Sequence, residues 1–109
     1  MLARQGDVLI RKVEDVTVPA DTKPEPRDAL GRLILAAGEV TGHHHAVADV
    51  SATLLPWVLG DGSPALLLDA PDGATVRHEE HAPIVLPPGQ FVVSIQREYH
   101  PLAIRNVRD

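Results

Sequence analysis

The sequence predicts one small all-β domain. Its apolar stretches are short and rich in Val, Ile and Leu, and they are separated by clusters of Gly, Pro and Asp. None of them carries a 3.6-residue hydrophobic stripe of useful length. With 109 residues there is room for a single core. The expected architecture is therefore a meander or Greek key folded into a small barrel or sandwich.

The elements follow in chain order. Residues 7–13 (DVLIRKV) read as the first strand. Residues 14–31 are polar, carry Pro19, Pro24 and Pro26, and are expected to form a long mobile loop. Residues 32–50 begin RLILAAGEV, with Gly38 and Gly42 as sites for a bend or bulge. Strands over 53–59 and 65–69 flank Gly60-Asp61-Gly62-Ser63, a hairpin signal. Strands over 74–86 and 91–99 flank Pro87-Pro88-Gly89 and give a second predicted hairpin, and a short strand over 102–107 is expected to close the domain.

Composition narrows the chemistry. Trp57, Phe91 and Tyr99 are the only aromatics, so Val, Leu, Ile and Ala must build the core. Trp57, after Pro56, reads as packing rather than a binding platform. The absence of cysteine excludes disulfides, thiolate metal sites and a cysteine nucleophile, and a fold this small is expected to gain stability from homo-oligomerisation. Net charge is −5, and no Lys or Arg lies between Arg32 and Arg77, where Glu39, Asp49, Asp61, Asp69 and Asp72 fall. That balance argues against a nucleic-acid partner and favours a cation. No run approaches the roughly 18 apolar residues of a membrane span, and the start lacks a secretory pattern, so a cytoplasmic protein is expected. Ser51, Ser63 and Ser94 have no nucleophile-elbow setting, and no phosphate-cradling glycine loop is present.

Two histidine clusters carry the functional signal. In a strand through Gly42-His43-His44-His45, side chains alternate, so His43 and His45 share one face with Asp49 and His44 takes the other. Two imidazoles and a carboxylate suit a divalent metal such as Zn, Fe, Mn or Ni. The opposite face carries Val40, Ala46 and Ala48 and reads as core, which would put His43 and His45 on a polar surface unless a barrel lumen is polar. The second cluster, His78-Glu79-Glu80-His81, supplies two more imidazoles if a turn brings them together, and Glu79 or Glu80 as general base. The alternatives are a metal-free polar pocket that uses a histidine as acid, base or ligand contact, or surface histidines without a role. Near the end, Arg97 or Glu98 reads as a structural ion pair, and His100 before Pro101 as a corner residue.

Residues 38–49 (GEVTGHHHAVAD) resemble the first cupin motif, and residues 86–89 (LPPG) resemble the turn of the second. The resemblance covers about half the chain and implies a cupin-like β-barrel with His43, His45 and Asp49 as metal ligands. Departures are a spacing from Gly38 to His43 one residue short, Asp49 in place of the usual Glu, and Val92 where the second motif has its histidine. His78 or His81 would supply the missing ligand. The segments GEVTGHHH, HEEHAPIVLPPG and QREY also resemble short uncharacterised bacterial proteins, which implies no activity. Residues 7–14 (DVLIRKVE) and 31–35 (GRLIL) are similar to the opening of a co-chaperonin, whose small barrels assemble into rings. Two functions are thus expected from different classes: a metal-binding protein, as an enzyme or otherwise, acting on a small-molecule ligand, or a non-enzymatic assembly or binding module.

Overall fold

A computed structural model describes residues 1–38 and 42–96. Among these, nine strands form: β1 (Leu2–Gln5), β2 (Val8–Val13), β3 (Leu33–Ala37), β4 (His44–Val47), β5 (Thr53–Val58), β6 (Pro64–Ala70), β7 (Ala74–Arg77), β8 (Ile84–Leu86) and β9 (Gly89–Ile95). They make two sheets, one five-stranded in the order β1-β2-β9-β6-β5 and one four-stranded in the order β3-β4-β7-β8. Every pairing is antiparallel. No α-helix forms among the described residues, so none is long and apolar enough to cross a membrane.

The all-β expectation holds, and of the two architectures it allowed, the chain adopts packed sheets rather than a closed barrel. The core explains the choice. Val8, Ile10, Leu54, Leu68, Phe91 and Val93 of the five-stranded sheet join Leu33, Leu35, Val47, Val76 and Leu86 of the four-stranded sheet in one buried cluster. Each such side chain contributes about 1.5–3 kcal/mol by leaving water. Strand β9 is central and buried on both faces. Phe91 and Val93 point between the sheets, while Val92 joins Leu55 and Leu67 in a second cluster.

Val16 and Val18 pack on that second cluster. They belong to the segment expected to be a mobile loop, which forms no strand; within it Glu25 N donates to Leu54 O at 2.7 Å, and Arg27 donates to the carbonyls of Gly31, Asp49 and Ala52.

Three local expectations change. Strand β1 lies before the predicted first strand and pairs with β2 through the two-residue turn Gly6-Asp7. The run over 74–86 divides into β7 and β8, a hairpin whose loop is the second histidine cluster. Pro87 and Pro88 therefore join β8 of one sheet to β9 of the other and do not form a hairpin turn. The Gly60–Ser63 turn does join β5 to β6 as predicted, and Gly38 and Gly42 flank the connection from β3 to β4. Arg97, Glu98, Tyr99, His100 and the strand expected over 102–107 lie outside the described residues.

Candidate metal centre

Strand β4 sets the orientation of the triplet. His45 is in phase with Val47, and the two are 2% and 0% exposed, so this face looks into the protein. The expected assignment of Ala46 and Ala48 to the core face is reversed, because both line a shallow outer pocket with His44. Ala46 is nonetheless covered, at 4% exposure. Val40 lies outside the described residues. The apolar look of the alanine face misled because Ala fits a sheet surface as readily as a core, whereas a buried histidine needs a partner that periodicity cannot reveal.

That partner is Gln5, in β1 of the opposite sheet. Its Nε2 donates to Val76 O at 3.1 Å and to Ala82 O at 2.9 Å, and its Oε1 lies 2.8 Å from His45 Nδ1. Both amide hydrogens are committed to carbonyls, so Oε1 can only accept, and His45 Nδ1 must carry a proton. Neutral His45 therefore presents a lone pair at Nε2, the arrangement by which an outer hydrogen bond orients a metal-binding imidazole. Burial, and then the neighbouring His78, hold the His45 pKa below its ordinary value, which favours that neutral form.

The two histidine clusters meet. His78 follows β7, which pairs with β4 through Ala46 and Arg77, and its ring centre lies 4.3 Å from that of His45, 4.7 Å from His81 and 5.7 Å from His43. His45 and His81 are 6.0 Å apart. Two imidazoles on one tetrahedral ion, with metal–nitrogen bonds of about 2.1 Å, have ring centres about 5 Å apart, a separation that the His45–His78 and His78–His81 pairs approach, although among the described residues the donor atoms that all lie within 4.8 Å of one another are those of His43, His78 and Glu79. Two glycines permit the approach. A Cβ at Gly6, whose φ is +60°, would stand 3.0 Å from His81 Nε2 and 3.3 Å from His45 Cε1, and one at Gly38 would stand 2.6 Å from His78 Nε2.

Two overlapping donor sets share His78. His45, His78 and His81 border a cavity of about 190 Å³ together with Arg4, Asp7 and Glu80. His43, His78 and Glu79 have donor atoms within 4.8 Å of one another. His43 Nδ1 is buried without a hydrogen-bond partner and lies 3.7 Å from Glu80 Oε2. His78 Nδ1 accepts from Glu80 N at 3.0 Å, so its neutral ring carries the proton on Nε2. To bind an ion through Nδ1 it would give up that bond, at a cost of about 1 kcal/mol.

The carboxylates divide. Glu79 Oε1 accepts from His44 N at 3.0 Å, the chief reason its pKa is lowered, and this ties the β7–β8 loop to β4. Glu80 borders the cavity. Asp49 does not join the histidines: its Oδ1 accepts from Thr75 N at 3.1 Å at the other end of the β4–β7 pair, and four extended residues from His45 amount to roughly 13 Å. Gln5 and Arg4 were missed in the sequence. The one available signal was the hairpin pattern around Gly6-Asp7, which would have brought β1 over the histidines.

A family model described as "Domain of unknown function (DUF8820)" matches residues 4–96. No curated protein and no solved structure matches the chain.

Proposed function

The chain belongs to the DUF8820 family, a domain of unknown function, and from its own side chains we infer that it is a metal-binding protein with a histidine-rich centre open to a small-molecule ligand. The observation that carries this reading is the convergence of His43, His45, His78 and His81, from two separate segments, around an imidazole whose free lone pair Gln5 dictates. His45, His78 and His81 hold a divalent ion, and the adjoining cavity leaves a coordination position for water or ligand. Imidazole donors suit Zn, Fe or Ni better than Mg or Ca. Glu80, at the cavity wall, is the carboxylate able to take a proton from metal-bound water, whereas Glu79 is committed to His44 N. The likeness to cupins is supported by the antiparallel double sheet and by the inward His45, and it extends to the histidines of the first motif but not to Asp49.

A second donor set, His43, His78 and Glu79, is favoured by its 4.8 Å spacing. Variants separate the two. Untagged protein purified without chelators should carry about one metal ion per chain by elemental mass spectrometry. A His45→Ala, His81→Ala variant should lose the ion, while His43→Ala, Glu79→Ala should retain it. Loss only in the latter pair would move the ion to the second set, and metal-free wild type after incubation with zinc, nickel and ferrous salts would sink the reading.

A further inference from the structure

We propose that the ligand of this centre is a small monocarboxylate, held with one oxygen toward the metal and the other toward the Arg4 guanidinium; this rests on the metal reading above. Arg4 is on β1, and with His45, His78 and His81 it borders the cavity. Its Nη2 donates to Gln96 Oε1 at 2.6 Å, and among the described residues this neutral amide is its only side-chain partner. A guanidinium has five N–H donors in a planar fork, so the remaining donors are available for a planar carboxylate.

Size and charge restrict the ligand further. A cavity of about 150 Å³ accommodates benzene, so the 190 Å³ here admits a molecule of a few heavy atoms. Among the described residues, the Arg4 guanidinium borders the cavity beside Asp7 and Glu80. A divalent ion there adds positive charge beside Arg4, which favours an anion. Carboxylate binding is therefore conditional on the metal. Arg4 is a positioning and specificity residue in this scheme and is not a metal ligand.

The test uses cobalt(II), whose visible absorption reports its coordination. Wild type, Arg4→Gln and Arg4→Lys are loaded with cobalt and titrated with acetate, glycolate and the neutral analogue acetamide, with metal-free protein as a calorimetric control. In wild type, acetate and glycolate should change the cobalt spectrum and acetamide should not, and metal-free protein should bind none of them. Both variants should take up cobalt as wild type does, but Arg4→Gln should bind the carboxylates about tenfold or more weakly. Arg4→Lys should recover part of that loss, since it keeps the charge without the fork. Carboxylate binding equal in wild type and Arg4→Gln, or no spectral response in cobalt-loaded wild type, would overturn the ligand proposal and leave the metal reading standing. Failure of wild type to bind cobalt would overturn both.

Discussion

Gln5 is 2% exposed and makes three hydrogen bonds that span the two sheets, so its replacement separates structure from site chemistry. Gln5→Leu leaves the Val76 and Ala82 carbonyls and His45 Nδ1 without their partner, and each buried group so stranded costs about 1–3 kcal/mol. The variant should lose at least 2 kcal/mol by urea denaturation, and nitrogen NMR of the His45 ring should show the proton no longer fixed on Nδ1. An unchanged tautomer would mean that Gln5 does not orient the ring. His45 also gives the metal-free protein a pH dependence of definite sign. Its folded pKa lies below the ordinary 6.5, first because burial disfavours the imidazolium and then because His78 is adjacent. As pH falls through about 6.5 the unfolded chain takes up a proton that the folded one refuses, so stability present above that pH is lost below it. With chelator present, the urea midpoint should be lower at about pH 5.5 than at about pH 8, and His45→Gln should reduce the difference. A midpoint that rises on acidification would contradict the burial argument. The histidines were legible in the sequence because their residue type and spacing are chemically specific. Gln5 was not, because a lone glutamine four residues from the start carries no pattern, and its partners are about 40 to 77 positions away along the chain.

At the scale of elements, the turn chemistry was the most legible part. Gly60-Asp61-Gly62-Ser63 marks a real hairpin between β5 and β6, since local backbone preferences decide a tight turn. Pro87-Pro88-Gly89 bears an equally strong turn signal yet joins two different sheets, because composition specifies that the chain bends and says nothing about which sheet receives the next strand. Residues 14–31 have contacts that composition does not announce. Their polarity and prolines suggest mobility, but Val16 and Val18 cover an apolar sheet face and Arg27 fastens the segment through Gly31 O at 2.7 Å, Asp49 O at 2.8 Å and Ala52 O at 2.8 Å. Arg27 is partly exposed, so its removal is screened by water. Arg27→Ala should cost about 1–2 kcal/mol and speed proteolytic cleavage within 14–31, without changing metal content. Cleavage at the wild-type rate would show that the apolar contacts alone hold the segment.

Over the whole molecule, the inter-sheet core and the histidine centre are continuous. Val47 and Val76, both fully buried, lie on the same strands or flanks that carry His45 and His78, and the β1–β2 turn of the other sheet closes over them through Gln5 and Gly6. The donor residues come from β4, from His43 just before it and from the β7–β8 loop of the four-stranded sheet. On the proposed reading one chain supplies both candidate donor sets. An ion bound to the folded state alone stabilises it by about 2.7 kcal/mol at a concentration 100 times its Kd. For a domain of this size each kcal/mol shifts Tm by about 4–8 °C. Chelation should accordingly lower Tm by about 10 °C or more, and readdition of metal should restore it. Assembly is a separate variable: Val58 and Val85 are 61% and 76% exposed on β5 and β8, which are edge strands of the two sheets, and unpaired edges are where copies would meet. If the ion serves a site within each chain, native mass spectrometry should give the same oligomer before and after chelation while Tm falls. A change of oligomer on chelation would instead make the ion a bridge between copies, and the assembly function would then take precedence over a ligand-binding centre.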